Sequence, residues 1–209
     1  MKVRVRIWFQ KNGDVRFIGH RDLVRAFERA LRRSGLELRM SEGFHPHAKL
    51  SFPLALGVGI EGVQEVMEVE FDEEIVADQL LGILRGECPP GVEITQVEVL
   101  PPGTKKAQVE TIEYELPIPD DRHASVNAAI EQLWKQAECT VTRPGRKSPV
   151  DVRADLAALE ITHGNLRIRQ RITGTASVRP REILQILGID DLEESGSWLT
   201  RTVVELANS

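Results

Sequence analysis

The chain has 209 residues, 28% charged and 41% hydrophobic, with a formal net charge of -5. That composition excludes a disordered chain, and its length suffices for one large domain or two small ones. The longest run without a polar residue, 52–60, is far short of the ~20 residues that cross a bilayer, and the alternating Met1-Lys2-Val3-Arg4-Val5-Arg6 start lacks the apolar core of an export signal. In chain order, residues 2–9 alternate strictly. Val3, Val5, Ile7 and Phe9 share one face and Lys2, Arg4, Arg6 and Trp8 the other, which predicts a half-buried strand ended by Asn12-Gly13. Residues 21–34 place Leu23, Phe27, Ala30 and Leu31 at helical spacing, with Gly35 as a left-handed cap. After a Gly/Pro/His loop come predicted strands at 49–56 and 65–71, a helix at 74–85 and a strand at 92–100. That order, βαββαβ, is the ferredoxin-like split unit.

Pro101-Pro102-Gly103 reads as a linker. The pattern then begins again: strand 109–116, helix 124–136, strands 155–162 and 166–173 joined at His163-Gly164-Asn165, a short helix opened by Pro180 and closed by Gly188, and a last strand at 198–206. The expected fold is therefore α+β, two tandem ferredoxin-like halves with antiparallel sheets. Residues 1–103 form the first half and 104–209 the second, which carries an irregular insertion at 143–150.

Charge is unevenly spread. Residues 1–60 hold 12 Lys+Arg against 5 Asp+Glu and six of the ten aromatics, while the other 149 residues hold 15 basic against 27 acidic. A basic block interleaved with rings suits a polyanion, because Lys and Arg displace phosphate counterions and rings stack on bases. Arg21, Arg25, Arg29, Arg32 and Arg33 fall on the polar side of the first helix, with Arg21, Arg25 and Arg29 in i,i+4 register. Two readings fit them, a phosphate-contacting surface or a solvated helix face. On the first strand, Arg4 and Arg6 are expected to face Glu68 and Glu70 across the sheet, which accounts for that alternation without a ligand. Arg167, Arg169 and Arg171 on the later strand show fewer evident acidic partners.

His20, His45 and His47 concentrate three of five histidines near one helix start and one loop. Such imidazoles can act as acid and base in RNA cleavage, can join Asp22 in a metal site, or can simply cap, stack or contact phosphate. Gly57-Val58-Gly59-Ile60-Glu61-Gly62 spells GxGxxG, but a strand is expected to follow it instead of the helix that a dinucleotide site needs, so a wide hairpin bend is the expectation. Arg143-Pro144-Gly145-Arg146-Lys147-Ser148-Pro149 is a basic loop in the acidic half, either an extension of a polyanion track or a surface loop. Cys88 and Cys139 stand alone and are expected to be reduced. No paired carboxylates or nucleophile elbow point to a hydrolase.

Gly19-His20-Arg21-Asp22-Leu23 leading into residues 25–33, together with Gly43-Phe44-His45-Pro46-His47-Ala48-Lys49-Leu50-Ser51-Phe52, resembles the radical-SAM-linked family of bacterial proteins, a domain of unknown function found free-standing or fused behind a radical-SAM enzyme. Arg179-Pro180 fits the same resemblance. The family loop usually reads Gly-Phe-Asn-Pro-x-Pro, so His45 and Ala48 depart from it. Genes of the family tend to lie near an RNase E/G-type ribonuclease. This chain has no Cys-x-x-x-Cys-x-x-Cys for a radical-SAM cluster, so the resemblance implies action beside a separately encoded radical-SAM enzyme. The expectation is a cytoplasmic RNA-binding accessory protein, with no cofactor, metal or membrane partner of its own. It would present a tRNA or rRNA through Arg21, Arg25, Arg29, Arg32, Arg33, His45, His47 and Lys49. The alternatives are a metal-independent endoribonuclease using His20, His45 or His47, and a protein-only adaptor.

Overall fold

The computed structural model describes residues 2–145, 149–173 and 178–207. They form a mixed α+β fold whose strands pair antiparallel, in two compact units, one running to Gln108 and including Ala207, the other Val109–Leu206. No helix among the described residues is long and apolar enough to cross a membrane.

In the first unit, β1 (Val3–Lys11) is followed by a 3-10 turn (Gly13–Phe17) and α1 (His20–Arg33). Then come β2 (Leu50–Ser51), β3 (Glu61–Phe71), α2 (Ala77–Glu87) and β4 (Val92–Leu100). β1 lies between β4 and β3, and β2 pairs with β3. The β1 alternation does what a half-buried strand requires: Val3, Val5, Ile7 and Phe9 join Val69, Phe71, Leu23, Phe27, Leu31, Leu80 and Leu84 in one core. Phe9, Phe27 and Phe52 meet there as an aromatic cluster, with the Phe9 and Phe27 centroids 4.9 Å apart at 67°. The opposite face of the sheet carries the charges. Arg4 sits across from Glu70 and Arg6 across from Glu68, and the Arg6 guanidinium donates to Glu68 Oε1 from Nε at 3.2 Å and Nη2 at 3.0 Å.

The strand expected at 49–56 is only two residues long. Pro53 offers no N–H to a ladder, and the chain instead folds residues 39–41 against 47–49. Ser41 N–H donates to His47 O at 2.8 Å, Lys49 N–H to Arg39 O at 2.8 Å, and Glu70 N–H to Lys49 O at 3.0 Å. β3 begins at Glu61, earlier than expected, because the stretch after Gly57 runs straight into it. GxGxxG thus leads into a strand, with Gly59 at φ +80° receiving no helix N-terminus, which removes the dinucleotide reading. α2 starts at Ala77 and not at Glu74 because Asp72 and Glu73 are engaged elsewhere. Asp72 pairs with Arg39 at 2.8 Å and Glu73 accepts the Glu37 N–H.

The Pro101-Pro102-Gly103 turn closes through Thr104 N–H to Pro101 O at 3.2 Å. The residues after it stay with the first unit, since Ala107 N–H donates to Glu68 Oε1 at 3.3 Å. The second unit comprises β5 (Val109–Pro117), α3 (His123–Lys135), a two-stranded ladder of β6 (Thr140–Val141) and β7 (Val150–Asp151), α4 (Val152–Asp155), β8 (Leu156–Thr162), β9 (Asn165–Arg171), α5 (Pro180–Leu187), α6 (Asp191–Glu194) and β10 (Thr200–Leu206). Its strands run in the order β10-β5-β9-β8. His163 at φ +50° and Gly164 at φ +78° make the tight β8–β9 turn. Two of the three arginines of β9 have acidic partners after all, while Arg171 donates to the Leu156 carbonyl at 3.2 Å. Arg167 reaches Glu113 at 2.7 Å and Glu160 at 3.2 Å, and Arg169 reaches Glu205 at 2.7 Å. In the basic loop, Arg143 grips Glu182 at 2.6 Å, while Arg146, Lys147 and Ser148 lie outside the described residues.

Candidate nucleic-acid interface

α1 buries Leu23, Ala26, Phe27, Ala30 and Leu31 and turns its remaining side outward. Arg21, Arg25, Arg29, Arg32 and Arg33 are all exposed. Arg32 and Arg33 fall in the last turn, where cations suit the negative end of the helix dipole. Arg33 pairs with Glu87, and Arg25 stands 3.5 Å from Asp22. Arg21, Arg29 and Arg32 have no carboxylate within 4.0 Å among the described residues, although most arginines on the sheets have one. Like charges at i,i+4 destabilise a helix by about 0.2–0.5 kcal/mol per pair, so the row 21–25–29–33 is a cost to the fold alone. Its guanidinium forks are the donors that match phosphate.

A shallow hollow of about 320 Å³ lies at the C-terminal half of this face, bordered by Ala26, Arg29, Arg33, Glu87 and Cys88. Burial pushes the Cys88 thiol up to about 11, the Arg33 charge opposing it only in part. Cys88 is a neutral thiol at physiological pH, without nucleophilic character.

The 41–49 loop is pinned at its base by the ladder of 39–41 with 47–49, and its tip, residues 42–46, is wholly exposed, Phe44 and His45 included. Ala48 is buried and its N–H makes no hydrogen bond among the described residues. His47 Nδ1 lies 2.9 Å from Ser41 Oγ, which also accepts the His47 N–H at 3.1 Å. His47 and Lys49 border a depression shared with Lys2, Arg4, Glu68 and Glu70. This is the charged face of the sheet, opposite the one covered by α1. The five helix arginines and the loop's His47 and Lys49 therefore do not form one continuous basic surface.

His20 is separate again. Its ring meets Phe52 edge-on, centroids 5.0 Å apart at 84°, beside the aromatic cluster. The neighbouring Lys11 is buried, its ammonium donating to the carbonyls of Arg16 at 3.2 Å and Ile18 at 3.1 Å. Burial first, and the Lys11 charge second, hold the His20 ring below its ordinary value. The unfolded chain therefore takes up the proton before the folded one does. Stability should fall as pH drops through the ordinary histidine value near 6.5, until folded His20 protonates too. Thermal melts at stepped pH measure this, and the His20→Gln protein should lose that part of the slope; an unchanged slope in the variant refutes it. Among the described residues no three His, Cys, Asp or Glu side chains gather where a metal ion could be held, so His20, Asp22, His45 and His47 are not one cluster.

No sequence pattern points to the depression's other walls. Lys2 and Lys106 carry no local motif, and only the order of the chain in space brings them beside Lys49.

The profile of a family described as "Uncharacterized protein conserved in bacteria (DUF2344)" matches residues 4–181. No curated protein matches the chain. A solved structure described as an unknown protein from Galdieria sulphuraria is similar over 99% of each chain, at 16% identity and a TM-score of 0.27, a likeness too weak to carry an argument.

Proposed function

The chain belongs to the DUF2344 family of uncharacterized proteins conserved in bacteria, and on that footing we propose that it is an RNA-binding accessory protein of the cytoplasm. The single observation behind this reading is the arginine row of α1. Arg21, Arg29 and Arg32 are exposed, unpaired within the described residues, and held on a helix whose other side is locked into the core. Three guanidinium groups on one fixed helix, with no carboxylate within 4.0 Å among the described residues, offer a surface for successive phosphates. The partner reading, presentation of a tRNA or rRNA to a separately encoded radical-SAM enzyme, rests on the resemblance of residues 19–33 and 43–52.

The strand orders β4-β1-β3-β2 and β10-β5-β9-β8 support reading each unit as a ferredoxin-like βαββαβ half. A ribonuclease reading gains less from the geometry. His20 is packed against Phe52 and His47 is tied to Ser41, so two of its three imidazoles already have partners within the fold.

The test is RNA recovered with the protein from its own cells at low salt, then rebound across a salt series. Contact by three arginines with single-stranded RNA predicts a log–log slope of about -2 or steeper. No RNA affinity at low salt would overturn the proposal.

A further inference from the structure

We propose that the depression on the charged face of the first sheet is a separate binding site for a phosphate ester on a hydroxylated carrier, such as a nucleotide. The hollow encloses about 460 Å³, within the range of small-ligand pockets. Its walls come from four separate stretches of chain: Lys2 and Arg4 at the start of β1, the loop base with His47 and Lys49, Glu68 and Glu70 of β3, and Lys106 beyond the Pro-Pro-Gly turn.

The charges on its rim do not cancel. Glu68 Oε1 already accepts two hydrogen bonds from Arg6 and one from Ala107 N–H. Glu70 is balanced by Lys2 at 3.2 Å and Arg39 at 3.7 Å. Two cations, Lys49 and Lys106, thus border one hollow with no carboxylate within 4.0 Å among the described residues, and Arg4 beside them has only its long contact with Glu68, at 3.9 Å; a phosphate dianion supplies the charge they lack.

The hydrogen-bonding groups fit the same ligand. Ser41 Oγ accepts the His47 backbone N–H, so its own proton is free to go to His47 Nδ1. With that bond made, the ring proton sits on Nε2 and His47 is a donor toward an acceptor-rich ligand. Arg4 Nε and Glu70 Oε2 are buried without a hydrogen bond, their ionic contacts lying at 3.9 Å to Glu68 and 3.7 Å from Arg39. A donor and an acceptor left in that state match a ligand that carries hydroxyl groups as well as phosphate oxygens. A simple anion such as inorganic phosphate would leave the carboxylate unserved.

This site is independent of the α1 reading, because no α1 arginine borders the hollow. Calorimetric titration with adenosine monophosphate, ribose phosphate, adenosine, and an RNA trinucleotide with and without a terminal phosphate tests it. The two phosphate esters should bind and adenosine should not. The Lys49→Gln/Lys106→Gln protein should bind them about tenfold or more weakly. The Arg21→Gln/Arg29→Gln/Arg32→Gln protein should bind them like wild type. His47→Gln, which keeps a donor amide, should retain more affinity than His47→Ala. A phosphorylated trinucleotide that binds better than the mononucleotide identifies an RNA end as the source of the group; equal binding identifies a free nucleotide. The proposal is overturned if no phosphate ester binds at about 1 mM, if adenosine binds as well as its phosphate, or if binding survives the double lysine substitution in a protein that melts like wild type.

Discussion

An Arg25→Glu/Arg29→Glu protein should bind RNA on the order of 100-fold more weakly than wild type at about 0.1 M salt, with a flatter salt dependence. Neutralising two phosphate contacts on a single strand accounts for roughly a factor of 25 of this, and placing carboxylates against phosphates accounts for the rest. The fold should not suffer. Arg29 makes no ion pair among the described residues and Arg25 only the long one with Asp22, so surface exchange there is worth within about 0.5 kcal/mol. The reversed charges would face Arg21 and Arg33 at i,i+4, turning two repulsive spacings into attractive ones. Melting temperature and RNA affinity should therefore separate, the first steady and the second collapsing. Filter binding across a salt series beside a thermal melt reads both. If RNA binding is indifferent to the reversal, α1 is a solvated face and RNA does not touch it.

Removing the Glu68 carboxylate should be the costliest single polar change in the first unit. Glu68 is 2% exposed, and Arg6, across from it, is 7% exposed. Glu68→Ala leaves that guanidinium buried with only Glu98, 4.0 Å away and half-exposed, to balance it. Breaking one side of a buried pair costs roughly 3–5 kcal/mol. The change also strips the Ala107 N–H of its acceptor, which adds to the loss. The double substitution Arg6→Met/Glu68→Leu should recover much of the stability, since the Arg6 charge leaves with its partner and only the long Arg4 contact to Glu68 is lost besides. Denaturant titration of the two single variants and the double forms the cycle. A Glu68→Ala protein as stable as wild type would mean that water reaches Arg6 in solution.

β1 was legible because its core-facing residues alternate with charged ones, and the pairing of Arg6 with Glu68 follows once β1 and β3 are neighbours. β4 runs over the predicted residues, and α1 within one residue of them, because the alternation in one and the apolar stripe with its glycine cap in the other leave little freedom. The GxGxxG segment was legible because the residues after it have the pattern of a strand. β2 was not, because only Leu50 and Ser51 pair with β3 while the residues before them bond with 39–41, and bridges such as Met40 to Ala48 leave no period in the sequence. The β9 arginines misled for a related reason. The partners of Arg167 and Arg169 lie on β5, β8 and β10, and strand order cannot be read from spacing. The α1 half of the candidate site was legible as helical periodicity. The phosphate hollow was not, since Lys2, Lys49 and Lys106 become neighbours only through tertiary folding.

The loop between α1 and β2 divides into a part that the fold holds and a part that the fold mostly leaves alone. Its base is committed: the backbone bonds of 39–41 with 47–49 hold it, and Ala48 has no room for a large side chain. Proline would fit there as regards hydrogen bonding, because the Ala48 N–H is unused. Residues 42–46 are all exposed, and of them Gly43, at φ +123°, is the one whose backbone resists exchange. Replacing the others carries little folding penalty, so a Gly-Phe-x-Pro tip kept among related chains is kept for what the loop touches and not for the fold beneath it.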